Sequence, residues 1–140
     1  DRFPRAANLR AALGMTLSAD GQDAEALIAM REALELDEGE PEAARYYSGV
    51  VVAPEASSDR LAQARGYLLA ALERRPADTG LLDGLARVEM DLGHPARAAA
   101  LWEEARRQSP SDETLALRLA AAWEEVGRSE DARRLRAAFP

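Results

Sequence analysis

The chain contains no cysteine and no lysine, and a single histidine, His94. Without cysteine there is no disulfide framework, no thiolate metal site and no cysteine nucleophile. With one imidazole and no obvious co-ligand at helical spacing, there is nothing from which to build a metal centre. The sequence also lacks a glycine-rich phosphate loop, a Gly-x-Ser-x-Gly elbow and a His-Glu-x-x-His motif, so no catalytic constellation and no cofactor is expected. Aromatics are scarce, at 5% of residues, and no apolar run approaches the length needed to cross a bilayer. The opening residues do not form a charged-then-apolar signal segment, and a chain that starts on Asp1 is expected to have lost its native N-terminus. The compartment stays open, with the cytoplasm favoured over the periplasm.

Every one of the 18 basic residues is arginine, set against 25 acids for a net charge of −7. An acidic chain repels the phosphate backbone whose attraction supplies most non-specific nucleic-acid affinity, so DNA or RNA is not an expected partner. The bias is uneven: residues 1–58 carry 11 acids and 5 arginines, residues 59–140 carry 14 and 13. A basic partner is therefore expected on the N-terminal half. Lysine-free, arginine- and alanine-rich usage has the look of a high-GC bacterial genome.

What is abundant is alanine, the strongest helix former, spaced with a helical period. In the stretch 93–110, Ala98, Leu101, Trp102 and Ala105 fall at i, i+3, i+4 and i+7, on one helical face. One constant step upstream sets Ala98 on Ala64, Trp102 on Leu68, Ala105 on Ala71 and Pro110 on Pro76, and the same step downstream sets Gly93 on Gly127 and Ala98 on Ala132. Gly21, Ala26, Met30 and Ala33 repeat the same internal spacing, but Ala26 lies four positions further upstream of Ala64 than that step would place it. A fixed period of about 34 residues signals stacked helical repeats.

The chain resembles the tetratricopeptide repeat family. That resemblance rests on Leu13-Gly14, Leu17, Ala26, Met30 and Ala33 in a first unit and Gly49, Val52, Ala64, Leu68, Ala71 and Pro76 in a second. It continues with Leu82, Leu85-Ala86, Ala98, Trp102, Ala105 and Pro110, then with Leu119-Ala120, Trp123, Ala132 and Phe139. It implies an all-α, right-handed α-solenoid in a single domain, 1–140, of four helix-turn-helix repeats near 7–41, 42–78, 79–112 and 113–140. The eight helices are expected near 5–18, 23–36, 41–53, 59–75, 79–92, 95–107, 112–126 and 129–138. Pro41 and Pro95 suit first-turn positions, and Ser58, Ser111 and Ser129 suit N-caps. Gly21, Gly93 and Gly127 serve the turn inside a repeat. The small residues at 26, 64, 98 and 132 let paired helices approach, while Met30, Leu68 and Trp102 fill the space between pairs, a slot that Arg136 takes in the last unit. Both tryptophans are read as core and not as ligand-stacking platforms. Aligning Gly49 with Gly14 places about three of the four extra residues of the second unit in the loop 54–58.

The resemblance further implies that the first helix of each repeat lines a concave groove for protein partners. By register the lining is Asn8, Ala11, Met15 and Ser18, then Tyr46, Val50 and Ala53, then Asp83, Arg87 and Met90, then Leu117, Ala121 and Glu124. An amphipathic helix or extended peptide suits it, anchored on Met15, Tyr46 and Val50. The clamp by which some family members hold a pair of carboxylates is not expected, because Ala11, Met15, Tyr47, Gly80 and Gly84 stand at its positions. His94 is assigned a structural or capping role, and the acidic run Glu32, Glu35, Asp37, Glu38, Glu40 and Glu42 a solvated face. The function expected is a non-enzymatic protein-binding scaffold or adaptor. The alternative is a structural or self-association segment of a larger protein, with or without an enzymatic domain.

Overall fold

The computed structural model describes residues 3–51 and 57–139. Among them run eight helices: α1 (Pro4–Ala19), α2 (Asp23–Leu36), α3 (Pro41–Val51), α4 (Ser58–Arg74), α5 (Thr79–Asp91), α6 (Pro95–Gln108), α7 (Glu113–Glu125) and α8 (Ser129–Ala137). They fall into two compact units, Asp1–Pro76 and Ala77–Pro140.

In the first unit α1 pairs with α2, α3 pairs with α4, and α2 also packs on α3. The close approach of α1 and α2 depends on Gly14, where an added Cβ would meet Met30 Cε at 2.9 Å. Ala26, Met30, Ala64 and Leu68 are fully buried, as their repeat slots require. The counterpart of Gly14 in α3 is Ser48, not Gly49. Ser48 is 2% exposed, whereas a Cβ at Gly49 meets nothing within 4 Å. Serine fits the small slot because its hydroxyl donates back to the Arg45 carbonyl at 2.8 Å and leaves no unmet polar group. The one-residue change in register puts all four extra residues between Ser48 and Ala64. Val52, Ala53 and residues 54–56 of the expected loop lie outside the described residues.

The acidic run is only partly solvated. Asp37 is fully buried and grips Arg74 of α4 with two bonds of 2.5 and 2.6 Å, while the Gly39 amide donates to its Oδ1. This tie joins the α2–α3 turn to the end of α4. The hydrogen bond from Arg74 to Asp37 holds the guanidinium pKa above its ordinary value. Glu40, also buried, accepts the Ala43 amide at 2.7 Å. Burial pushes its pKa up; the bond from Ala43 only partly opposes this.

In the second unit α5 pairs with α6, α6 packs on α7, and α7 pairs with α8. Ala98 and Ala132 are fully buried, and Trp102 is buried with its indole N–H on Asp83 at 2.8 Å. Trp123 departs from its core reading. It is half-buried, with its indole N–H on Glu103 at 3.2 Å and the Arg128 guanidinium 4.5 Å from its ring centre. Arg136, in the wedge slot of the last pair, bonds to Glu124.

The turns follow the expectation at all three glycines, with φ of 79° at Gly21, 82° at Gly93 and 86° at Gly127. Each lets the next amide reach back over the helix end: Gln22 to Leu17 O, His94 to Glu89 O, and Arg128 to Trp123 O, at 2.7–2.8 Å. Pro41 and Pro95 open their helices as expected. The serine caps need correction. Ser57, not Ser58, caps α4; Asp112, not Ser111, caps α7; and Ser129 is the first helical residue of α8, which has no side-chain cap. Glu40, Asp78 and Asp112 occupy one and the same position in successive repeats. Each accepts the amide three residues on, where a carboxylate also meets the positive helix end.

Candidate functional site

A concavity lies within the first unit, between the start of α2 and the end of α3. Asp23, Ala24 and Leu27 form one wall, and Arg45, Tyr46, Gly49 and Val50 form the other, around about 640 Å³. The second unit carries the same pair of elements, α6 and α7, two repeats on, with smaller side chains at the two matching positions. Ala99 and Ala122, the counterparts of Leu27 and Val50, are both buried, whereas Val50 is 43% exposed. Two bulkier side chains therefore stand where the second unit brings two alanines together. The lining is apolar apart from Asp23 and Arg45 at the rim, and Arg45 is engaged with Glu42.

Leu27 and Val50 also border a smaller, polar recess of about 140 Å³ with Arg31, Tyr47, Arg60 and Gln63. The Tyr47 hydroxyl donates to Gln63 Oε1 at 3.0 Å, Gln63 Nε2 donates to the Tyr67 hydroxyl at 3.1 Å, and the two tyrosine rings meet edge to face at 5.6 Å. Burial raises the Tyr67 pKa, so this phenol stays neutral and serves as a fixed hydrogen-bonding group. Tyr47 is thereby held as a rigid floor beside the cleft.

Of the residues singled out from sequence, the structure brings Tyr46 and Val50 into this cleft. Asn8 is exposed on α1, and Met15, 44% exposed, is outside the cleft wall. Ala11 is buried and offers a partner no surface, because the small side chain lets neighbouring helices close over it. In the second unit Asp83 is occupied by the Trp102 indole and by Arg118 at 2.5 Å, which makes it an internal tie between α5, α6 and α7. Glu124 is paired with Arg136, and that bond lowers its pKa. Arg87 and Met90 are half-buried, and Leu117 is exposed. Residues missed from sequence are Asp23, Ala24 and Leu27, because the family resemblance points to first helices alone. Their one signal is Leu27, a bulky residue at the position of Ala99.

Two further groups bear on chemistry. Glu89, buried at the end of α5, faces His94 Nδ1 at 2.8 Å and Arg97 at 3.8 Å. His94 stands at the N-cap position of α6 without a side-chain capping bond, so its role is to close the α5–α6 turn over Glu89. Among the described residues no three histidine, aspartate or glutamate side chains cluster to hold a metal ion, and no helix is long and apolar enough to cross a membrane.

Residues 79–122 match the family model described as tetratricopeptide repeat. No curated protein matches the sequence. Among solved structures, a MamA protein is 18% identical, with 94% of this chain and 70% of that one aligned at a TM-score of 0.75. MamA of AMB-1 is 17% identical over 92% and 74%, with a TM-score of 0.73. PilF of Pseudomonas aeruginosa is 18% identical over 96% and 75%, with a TM-score of 0.53. At these identities the likeness is one of fold.

Proposed function

We propose that this chain, which carries tetratricopeptide repeats on an all-α repeat fold, is a non-catalytic scaffold that binds a protein or peptide segment through the α2–α3 cleft of its first unit. The observation that carries the reading is the opening of that cleft. The positions that carry buried Ala99 and Ala122 in the second unit carry the larger Leu27 and Val50 in the first, and both of these line the cleft. An apolar side chain of a helix or extended segment fits between Leu27, Tyr46 and Val50, which bury it at low entropic cost because all three sit on helices. The rim charges Asp23 and Arg45 give orientation and little affinity.

The test begins with a phage-displayed peptide selection on the immobilised chain, followed by calorimetric titration of the selected peptide. Val50→Glu or Tyr46→Glu is expected to weaken binding at least tenfold, about 1.4 kcal/mol. Helicity should be unchanged, since Val50 is already 43% exposed. Undiminished affinity in both variants would remove the cleft from the reading.

A further inference from the structure

The polar recess beside the α2–α3 cleft has a counterpart in the second unit, and the two carry opposite charge. Arg31 of α2 and Arg60 and Gln63 of α4 line the recess. Counted from the small-slot alanines, Ala26 and Ala64 in one unit and Ala98 and Ala132 in the other, the matching residues are Glu103, Arg128 and Asp131. There Arg128 is held by two carboxylates, Glu103 at 3.6 Å and Asp131 at 2.9 Å. In the first unit Arg60 keeps the cation, but an arginine stands in place of one acid and a glutamine in place of the other.

Arg31 and Arg60 are exceptions in their own unit. Arg10, Arg45, Arg74 and Arg75 each pair with a carboxylate, whereas among the described residues Arg31 and Arg60 pair with none. The Tyr47 hydroxyl already occupies Gln63 Oε1, so Gln63 has only its amide N–H left to offer the recess. The walls therefore present donors and positive charge. A carboxylate between two guanidiniums relieves their repulsion and accepts from both forks. Glu35, which acts on Tyr67 as Arg31 does, and Asp59, beside Arg60, lower the local potential and suit a single negative charge better than a phosphate dianion. Residues 1–58 are acidic in total, but screening beyond about 8 Å leaves the nearest groups to decide at contact.

We propose that this recess binds one Glu or Asp side chain of the segment whose apolar residue enters the α2–α3 cleft, an inference that rests on that cleft being the binding site. Leu27 and Val50 border both spaces, so the two are contiguous. Arg31 lies one turn beyond Leu27, about 6 Å along α2. A helical segment reaches both spaces with an acidic residue three or four positions from its apolar anchor. Its carboxylate does for Arg60 what Glu103 and Asp131 do for Arg128.

The test selects peptides from one phage-displayed library on the full chain and, in parallel, on its Arg31→Gln/Arg60→Gln variant. Wild-type selection is expected to enrich Glu or Asp three or four positions from a large apolar residue, and selection on the variant to lose that preference. A synthetic peptide of the wild-type-selected sequence should lose about fivefold in calorimetric affinity when its acid is changed to the amide, and less than about twofold against the double variant. Both arginines are exposed and unpaired, so the variant should melt with the wild type by circular dichroism. Equal losses on the two proteins, or selected peptides that lack the acid yet are weakened by Val50→Glu, would overturn the recess and leave the cleft standing. Phosphoserine in place of the acid, if it binds more tightly by about tenfold, would hand the recess to a phosphate and overturn the carboxylate assignment. A library that yields no peptide sensitive to Val50→Glu or Tyr46→Glu would remove the cleft and the recess together.

Discussion

At the scale of single residues, the buried carboxylates carry the most information. Glu40 caps α3 from a buried position, and burial raises its pKa. A raised folded-state pKa means that the fold holds the proton more tightly than the unfolded chain does. Its contribution to stability is therefore greatest below the ordinary carboxylate range and declines as pH rises through the raised value. Glu40→Gln keeps an acceptor for the Ala43 amide and removes the titration. Urea unfolding between pH 3.5 and 7 should show the wild type losing stability relative to this variant as pH rises; the opposite trend would mean that the cap favours the ionised form. Asp37 is a tie and not a cap, since Arg74 meets it with two bonds. Sequence reading placed both residues on a solvated face. Their burial was not legible because it depends on Arg74, far along the chain, and on where the α2–α3 turn lies in the packed unit.

At the scale of helices and turns, local geometry was readable wherever a residue type answers a local demand. Ala26, Ala64, Ala98 and Ala132 fill their slots, and the helix-opening prolines stand where they were expected. The register of α3 was misread because Gly49 resembles the expected glycine, whereas the slot asks only for a small residue and Ser48 fills it. The cleft was half legible: Tyr46 and Val50 were named, but the α2 wall was not, since the family resemblance directs attention to first helices alone. The acidic caps were overlooked beside more familiar serines. Asp112→Ala should remove the side-chain bond to the Leu115 amide and lower stability by about 1 kcal/mol. Ser111→Ala should cost nothing comparable. Thermal melts of the two variants give the comparison, and equal losses would restore Ser111 as the cap.

At the scale of the whole molecule, a net charge of −7 on an arginine-only basic complement sets what the surface attracts. Many of those arginines are spent on pairs within the chain, including Arg74 with Asp37, Arg118 with Asp83 and Arg136 with Glu124. Duplex DNA should therefore show no mobility shift with the chain at physiological salt, while a shift would reveal a basic face that outweighs the total. The fold likeness to MamA and PilF extends over more than nine-tenths of this chain at 17–18% identity. That pattern is expected where small-residue slots and turn geometry are kept and the remaining side chains drift.

The three glycine turns carry a consequence of their own. At Gly21, Gly93 and Gly127 the backbone runs in the hand opposite to the helices it joins, and a Cβ would meet nothing within 4 Å at any of them. Space does not exclude a side chain there; chirality does. Each turn is a stereochemical filter that an L-residue passes only with strain and a D-residue would pass freely. The repeat thus depends at these points on the one amino acid that has no handedness.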